Sequence, residues 1–419
     1  MSDYQVTDRL FLWWLGRPDA PVPVGELQLL RATQGASLRY FPDWLATGFP
    51  LSEDLPLRDI EHLPPGRDSA AGAVDDARPD RWGERVIRFI DRPPRLSILE
   101  YLYFAGDQRF GALGVSRSAE NYACHRSGPL PTLRDVREMQ GLVQKILSNE
   151  PIPDAKRRLV APGATLGGAR PKALITIEGA QWVVKFSEEG DETDSPLVEH
   201  ACMTLAGKAG IHVAATRPIR VSPKRHAVAV CRFDRAGTGD GTRRIHAQTA
   251  HVALRAEGSP MGYPELAQLL RRRGQVEGGV AREQMRELFR RMVLNILMDN
   301  TDDHEKNHAL LMDDAQRLHL APAFDVLPTA QALGYQQMRV GRDDSDATID
   351  NALSEAALFG LSKKEAVAQA AQVAGVCSRW KEHFRDAGVA RADIDYLAQY
   401  VDRSFLAGQR AALAAASAG

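Results

Sequence analysis

Met285, Leu288, Phe289, Met292, Val293, Ile296 and Leu297 recur at spacings of three and four residues, which constrains the chain before residue 300 to a helix with one buried apolar stripe. A polar loop follows at once, Asn300-Thr301-Asp302-Asp303-His304-Glu305-Lys306-Asn307. Beyond it, Ala309-Leu310-Leu311-Met312 and Leu318-His319-Leu320-Ala321 read as two short strands joined by the polar turn Asp313-Asp314-Ala315-Gln316. Such a hairpin folds Asp325 back toward Asp302 and Asn307. Polar groups in this order suit phosphoryl transfer from Mg-ATP: an Asp accepts the proton of the attacking hydroxyl, an Asn five residues on holds a metal, and a later Asp supplies its other ligand. Asp302, Asn307 and Asp325 are the candidates for these roles. Taken locally, Asp302 and Asp303 fit equally well as capping and loop carboxylates.

Thr165-Leu166-Gly167-Gly168-Ala169-Arg170-Pro171-Lys172 precedes an apolar run, Ala173-Leu174-Ile175-Thr176-Ile177, that reads as a strand. Paired glycines let successive backbone N–H groups point into one concavity and bind anionic oxygens, although Gly-Gly before a strand is also an ordinary turn. The next strand, Trp182-Val183-Val184-Lys185-Phe186, places Lys185 in an apolar segment, where lysine needs a partner. Glu199 is the candidate, at the opening of the helical pattern Leu197, Ala201, Leu205, Ala206. The pair would orient ATP phosphates. Alternatively, Lys185 is a snorkelling edge lysine and Glu199 a first-turn carboxylate favoured by the helix dipole. Ala227-Val228-Ala229-Val230-Cys231-Arg232-Phe233-Asp234-Arg235 is an apolar strand ending in charge, where the backbone of Cys231 and Phe233 could read adenine; Phe233 equally suits a core position. What constrains function is the order: glycine loop, strand, lysine strand, helix with Glu, connector, catalytic loop, metal-binding Asp.

With these residues in view, Gly168-Ala169-Arg170-Pro171-Lys172, Arg232-Phe233-Asp234-Arg235, the loop Asn300 to Asn307, and Phe324-Asp325-Val326 together resemble the HipA family, the toxin kinases of HipBA toxin–antitoxin modules. Upstream, Val24-Gly25-Glu26-Leu27, Leu38-Arg39-Tyr40-Phe41, Trp44-Leu45, Pro50-Leu51-Ser52 and Leu55-Pro56-Leu57 are similar to that family's N-terminal coupling subdomain. Pro79-Asp80-Arg81-Trp82-Gly83 and Gly106-Asp107-Gln108-Arg109-Phe110-Gly111-Ala112-Leu113 resemble its connector. The resemblance implies an α+β, two-lobed HipA/phosphatidylinositol-kinase-like fold with a small β-rich N-terminal subdomain. Residues 1–110 would form that subdomain and connector, 111–235 an N-lobe with the glycine-rich loop, and 236–419 a mostly helical C-lobe. It implies a serine/threonine protein kinase using ATP and Mg²⁺ on a cytoplasmic protein, which in this family can be an aminoacyl-tRNA synthetase. Asp302 becomes the base, Asn307 and Asp325 the metal ligands and Lys185 the phosphate lysine; Gly167, Gly168, Lys172 and His304 fall on nucleotide-pocket positions. Thr165 takes the place of a loop serine whose autophosphorylation switches the family's kinases off. A HipB-like antitoxin is the implied partner, with DNA reached only through it. Three residues depart from the pattern: Arg170 for the usual Gln, Asp299 for the Gly common before Asn-Thr-Asp, and Cys231 for a frequent Glu. The alternative from another class is a weakly active or inactive kinase fold serving as corepressor and binding module for the antitoxin; a lipid kinase is a further one, disfavoured because no basic amphipathic membrane helix is evident.

At 419 residues the chain can bury two sizeable cores. With Lys+Arg 53 against Asp+Glu 54, no global charge favours DNA. Cys124, Cys202, Cys231 and Cys377 lack paired metal spacing and read as reduced positions, which fits a cytosolic setting. The start lacks the form of a secretory signal, and no apolar run spans a bilayer. Residues 11–57 alternate as a small antiparallel sheet, 64–79 read as a connector, and helices are expected over 96–104, 133–147, 355–359, 363–374 and 394–413.

Overall fold

The computed structural model describes residues 4–126, 128–160 and 168–418. The chain divides into two compact units, Met1–Glu188 with Cys231–Glu257, and Glu189–Val230 with Gly258–Gly419. These units follow packing and are a different partition from the three sequence segments.

In the first unit β1 (Arg9–Trp14), β2 (Val22–Leu30), β3 (Gly35–Tyr40) and β4 (Leu113–Ser116) form an antiparallel sheet in the order β3-β2-β1-β4. Period-two placement sends Ala36, Leu38 and Tyr40 into the core with Leu10, Leu12, Val24 and Leu27. Helix α1 (Pro42–Thr47) adds Trp44; α3 (Ile98–Phe104), opened by a Ser97/Glu100 capping box, adds Leu99 and Leu102. Two features here lie outside the local pattern. The stretch read as a connector is packed, with Ala70, Ala71, Ala73, Val74 and Ala77 in the core and Gly72–Ala77 a 3-10 helix. Small apolar residues carry this burial between the Gly, Pro and Asp that suggested a loop. The fourth strand, from Leu113, closes the sheet at β1 through pairing across about a hundred residues, for which no local signal exists.

Helices α2 (Arg81–Ile90) and α4 (Val136–Leu147) lead to a hairpin of β5 (Lys172–Ile177) and β6 (Ala180–Phe186). Its turn residues Glu178 and Gly179 both have positive φ, +51° and +80°, the geometry that a two-residue hairpin turn with matched twist requires. Later in the chain Asp234, fully buried, accepts from the Gly111 N–H at 2.8 Å, from Arg232 at 2.7 and 2.9 Å and from Arg235 at 2.8 Å. Burial alone would raise the Asp234 carboxyl, but the two guanidinium groups outweigh it and hold it well below the usual carboxylate range. This carboxylate fixes how the chain leaves the strand ending at Cys231.

The first unit also holds β9 (Arg235–Ala236), β10 (Arg243–Arg244), β11 (Ala247–Thr249) and α6 (Ala250–Glu257). The second unit contains α5 (Ser195–Lys208), a hairpin of β7 (Thr216–Arg220) and β8 (His226–Cys231), α7 (Tyr263–Arg273), α8 (Val280–Leu297), a hairpin of β12 (Ala309–Met312) and β13 (Leu318–Leu320), and α9 (Ile349–Ser354), α10 (Lys363–Cys377), α11 (Trp380–Asp386), α12 (Arg391–Val401) and α13 (Ser404–Ala418). All seven residues of the stripe on α8 are buried, against α7, α9, α10 and α13. The span read as one helix over 394–413 breaks at Asp402-Arg403. Asp402 turns its carboxylate to the Trp380 indole N–H at 3.0 Å and to Arg410 at 2.8 Å, and Arg403 reaches the Ala332 carbonyl at 2.8 Å. Side-chain bonding outside the helix outcompetes continuation of the turn. Among the described residues no helix is long and apolar enough to cross a membrane. All four cysteines are free, and burial raises the Cys202 and Cys377 thiols.

His246 of the first unit gives the fold a pH signature. Its Nε2–H donates to the Leu51 carbonyl at 2.7 Å, Trp14 packs its ring at 5.5 Å, and burial lowers its pKa from 6.5 to about 4. The folded state therefore binds the proton less well than the unfolded one, so this contribution is complete above pH 6.5 and is lost as pH falls toward 4. Buried Asp76, raised to about 6, acts in the opposite sense, losing stability as pH rises from 3.8 through 6. Subtracting a variant separates them: His246→Gln, which keeps a donor to Leu51, is expected to lose about 3 kcal/mol less stability than the parent between pH 7 and 4, measured by urea unfolding.

Candidate active site

The turn out of α8 sets how the chain enters Asp302, the candidate base. Asp299 takes a left-handed φ of +56°, and Asn300 folds back, its N–H to the Asn295 carbonyl at 2.9 Å and its amide to the Asn295 side-chain oxygen at 3.0 Å. The next residues alternate: Thr301 buried, Asp302 exposed, Asp303 buried. Asp303 accepts from the Tyr263 hydroxyl, from Asn295 at 2.8 Å and from His308 at 2.9 Å. Burial pushes its carboxyl up, but His308 and the Tyr263 hydroxyl outweigh that and set it below the ordinary value. The same contact and burial push the Tyr263 hydroxyl well up. Burial separates the two carboxylates: Asp303 is buried and bonded within the unit, and Asp302 is exposed.

Asn307 donates through Nδ2 to the Asp302 carbonyl at 3.1 Å. That bond fixes the amide's orientation and leaves Oδ1 buried with no hydrogen-bond partner among the described residues. A buried, unused carbonyl-type oxygen suits a hard cation. The hairpin expected from the sequence is present, with Leu310 opposite Leu320 and the Ala321 N–H bonded to the Ala309 carbonyl at 2.9 Å, so Asn307 and Ala323 lie at its same end. Ala323 is held against His212 and Ala214 by bonds of 2.8 and 2.9 Å, and Asp325 follows, half-buried, in a left-handed φ of +59°. Asn307, Asp303, His308, Phe324 and Val326 line one cavity of about 10 Å³, roughly the room of a single water. No group of three or more His, Cys, Asp or Glu forms a metal cluster among the described residues, so a divalent ion here would rely on Asn307 Oδ1, Asp325 and oxygens of its substrate. His304 caps the short turn Glu305–Asn307, its Nδ1 accepting from the Lys306 N–H at 3.2 Å, which leaves Nε2 as the proton-bearing nitrogen of the neutral ring.

In the first unit the β5–β6 register places Lys172 directly opposite Lys185, so both side chains stand on one face, and both are buried. Two buried ammonium groups side by side need anions. Asp80 supplies one: it forms an ion pair with Lys172, which also donates to the Gly168 carbonyl at 3.2 Å, and it caps α2 through the Gly83 N–H at 2.8 Å. Trp82 donates to the Lys172 carbonyl at 2.7 Å. Asp80 was read only as part of a connector motif; its pairing depends on a residue 92 positions away, and the signal available was Pro79-Asp80-Arg81-Trp82-Gly83 itself. Gly168 has φ +78°, a conformation glycine adopts freely. Gly167 and Thr165 lie outside the described residues. Phe233 packs edge-on against Phe110 at 6.4 Å, and Cys231 is half-buried with its thiol raised by burial. Lys185 belongs to this unit and Glu199, buried on α5, to the second.

A mixed fold of two such units, with a carboxylate-bearing loop after a buried helix and a lysine hairpin after a glycine turn, can be compared with known proteins. Residues 164–380 match the HipA-like C-terminal domain. The chain belongs to the HipA family. It has the fold of the HipA protein from the Shewanella oneidensis MR-1 toxin–antitoxin system, solved with HipB and operator DNA, at a TM-score of 0.65 and 18% identity over 96% of each chain. The Helicobacter pylori proinflammatory kinase CtkA aligns at a TM-score of 0.43 and 13% identity, over 59% of this chain and 93% of that one. No curated protein matches the sequence.

The two adjacent carboxylates are expected to behave oppositely on removal. Asp303→Ala leaves the Tyr263 hydroxyl, Asn295 and His308 without their acceptor and should lower stability by about 3–5 kcal/mol. Asp302→Ala, at an exposed position, should cost about 1 kcal/mol or less. Parallel denaturant unfolding of both variants checks this.

Proposed function

We propose that this HipA-family chain is an ATP-dependent serine/threonine protein kinase that acts on a cytoplasmic protein and phosphorylates itself at Thr165. The observation that carries the reading is the loop Asp302–Asn307. It presents an exposed carboxylate beside a buried one and keeps the Asn307 Oδ1 oxygen free of any hydrogen bond among the described residues. In this reading Asp302 accepts the proton of the attacking hydroxyl as its oxygen bonds to the γ-phosphorus and ADP departs. Asn307 and Asp325 would hold Mg²⁺, which supplies neutralisation of phosphate charge. Lys185 would meet the phosphates, with Glu199 orienting it; Lys172, Gly167, Gly168 and His304 would serve the nucleotide, and Cys231 and Phe233 the adenine through their backbone. Asp303 plays no chemical part: it holds the loop so that Asp302 stays exposed. The Shewanella protein is seen with HipB and DNA, which supports a HipB-like antitoxin as partner and DNA reached through it. A catalytically idle corepressor has no need of an exposed Asp302 and an unspent Asn307 oxygen.

Dephosphorylated protein incubated with Mg-ATP should gain phosphate, located at Thr165 by peptide mass spectrometry. Asp302→Ala should lower the rate by about 10²–10⁴-fold, the usual contribution of a general base. Equal incorporation in both proteins would remove Asp302 from the mechanism, and none in either would sink the kinase reading.

A further inference from the structure

Asp302 is held on its C-terminal side by Asp303; on its N-terminal side stands a different device. Asp299, buried and left-handed, uses both its carbonyl and its carboxylate. The carbonyl accepts from the Thr329 N–H at 3.0 Å and from the Thr329 hydroxyl at 2.8 Å. With its proton spent there, Thr329 Oγ1 accepts from the Thr301 N–H at 3.2 Å and from the Thr301 hydroxyl at 2.7 Å. Thr301 is the residue next to Asp302. The Asp299 carboxylate accepts from the Ala332 N–H at 3.2 Å and from Arg403 at 3.2 Å, while Arg403 also donates to the Ala332 carbonyl at 2.8 Å and lies over the Phe405 ring at 5.2 Å. Three non-glycine residues of this knot are left-handed, Asp299 (+56°), Ala330 (+54°) and Ala332 (+53°). For alanine that conformation costs roughly 1–2 kcal/mol each and persists only where surrounding bonds over-determine it. Helix stability does not require the arrangement: Met298 already caps α8, and glycine would fill position 299 without strain.

We infer that Asp299 and Arg403 are positioning residues, a clamp between the start of the last helix and the catalytic loop that fixes Thr301 and so aims Asp302. This rests on the phosphoryl-transfer reading above. Arg403 is the break in the helix that sequence periodicity runs through, and Asp299 occupies a backbone conformation better suited to glycine; each departs from local preference, and the two departures meet in one ion pair.

The test pairs a rate with a structural readout. Asp299→Gly keeps the left-handed backbone and removes the carboxylate; Arg403→Ala removes the other half. Each should lower the saturating autophosphorylation rate about 10- to 100-fold, the cost of misplacing a reacting group by about 1 Å. The ATP concentration for half-maximal rate should stay within about twofold. The double variant should be no slower than the slower single one, since both remove the same clamp. Hydrogen exchange at the Thr301 amide should speed up at least about tenfold in each variant. Full activity in Asp299→Gly, or exchange at Thr301 equal to that of the parent, overturns the clamp. Should the parent itself show no Asp302-dependent phosphorylation, the kinase reading falls by that result alone, and the exchange comparison still decides whether the clamp holds the loop.

Discussion

The second unit depends on one buried charge. Asp303 gathers donors from the first residue of α7, from the last turns of α8 and from the approach to β12, the farthest lying forty residues before it in sequence. Burying an isolated carboxylate costs several kcal/mol, and only a complete set of donors offsets it. Any movement of the loop that strips one donor restores part of that cost. The loop is therefore held to one conformation, and with neighbours buried on both sides the exposed Asp302 is a consequence of the alternation. Electrostatics that look local are in effect a constraint on how helices and hairpin meet.

The first unit solves a related problem with opposite sign. Lys172 and Lys185 face each other across β5 and β6, where like charges repel, and Asp80 reaches in from the cap of α2 to compensate Lys172. A few residues after β8, Asp234 stands between Arg232 and Arg235, with the Gly111 N–H as a further donor. In both places a carboxylate is shared between an ionic role and a backbone role. A substitution that removes it damages chain path and charge balance together, so loss of function at such positions says little by itself about chemistry.

Much of the fold was legible because burial leaves a period. The stripe on α8, the alternation of β2, the β12–β13 hairpin and the strands β5 and β6 lie where the patterns of 3.6 and 2 put them. In the loop Asp302 to Asn307 the five-residue step to Asn307 singles out Asp302 in the sequence; the contrast in burial with Asp303 comes from Tyr263, forty residues before Asp303. Likewise β4, the packed stretch 70–77 and Asp80 carry no local period, because each is defined by a distant partner. The helix break at Asp402-Arg403 fails for the same reason: the periodicity continues through it, and the bonds to Trp380, Arg410 and Asp299 that interrupt it come from elsewhere.

An 18% identity with a protein of the same fold leaves most side chains free to differ, so the retained architecture has to rest on interactions that many residues can supply. Apolar packing is of that kind, since volume and pattern suffice. The polar knots are not. The bonds between Thr301 and Thr329 need two hydroxyls at fixed places, and the buried Asp299 carboxylate is met by Arg403. At this turn an arginine at the head of α13 pairs with the carboxylate of the left-handed residue. In the clamp inferred above, that pair links the loop carrying Asp302 to a helix more than a hundred residues downstream.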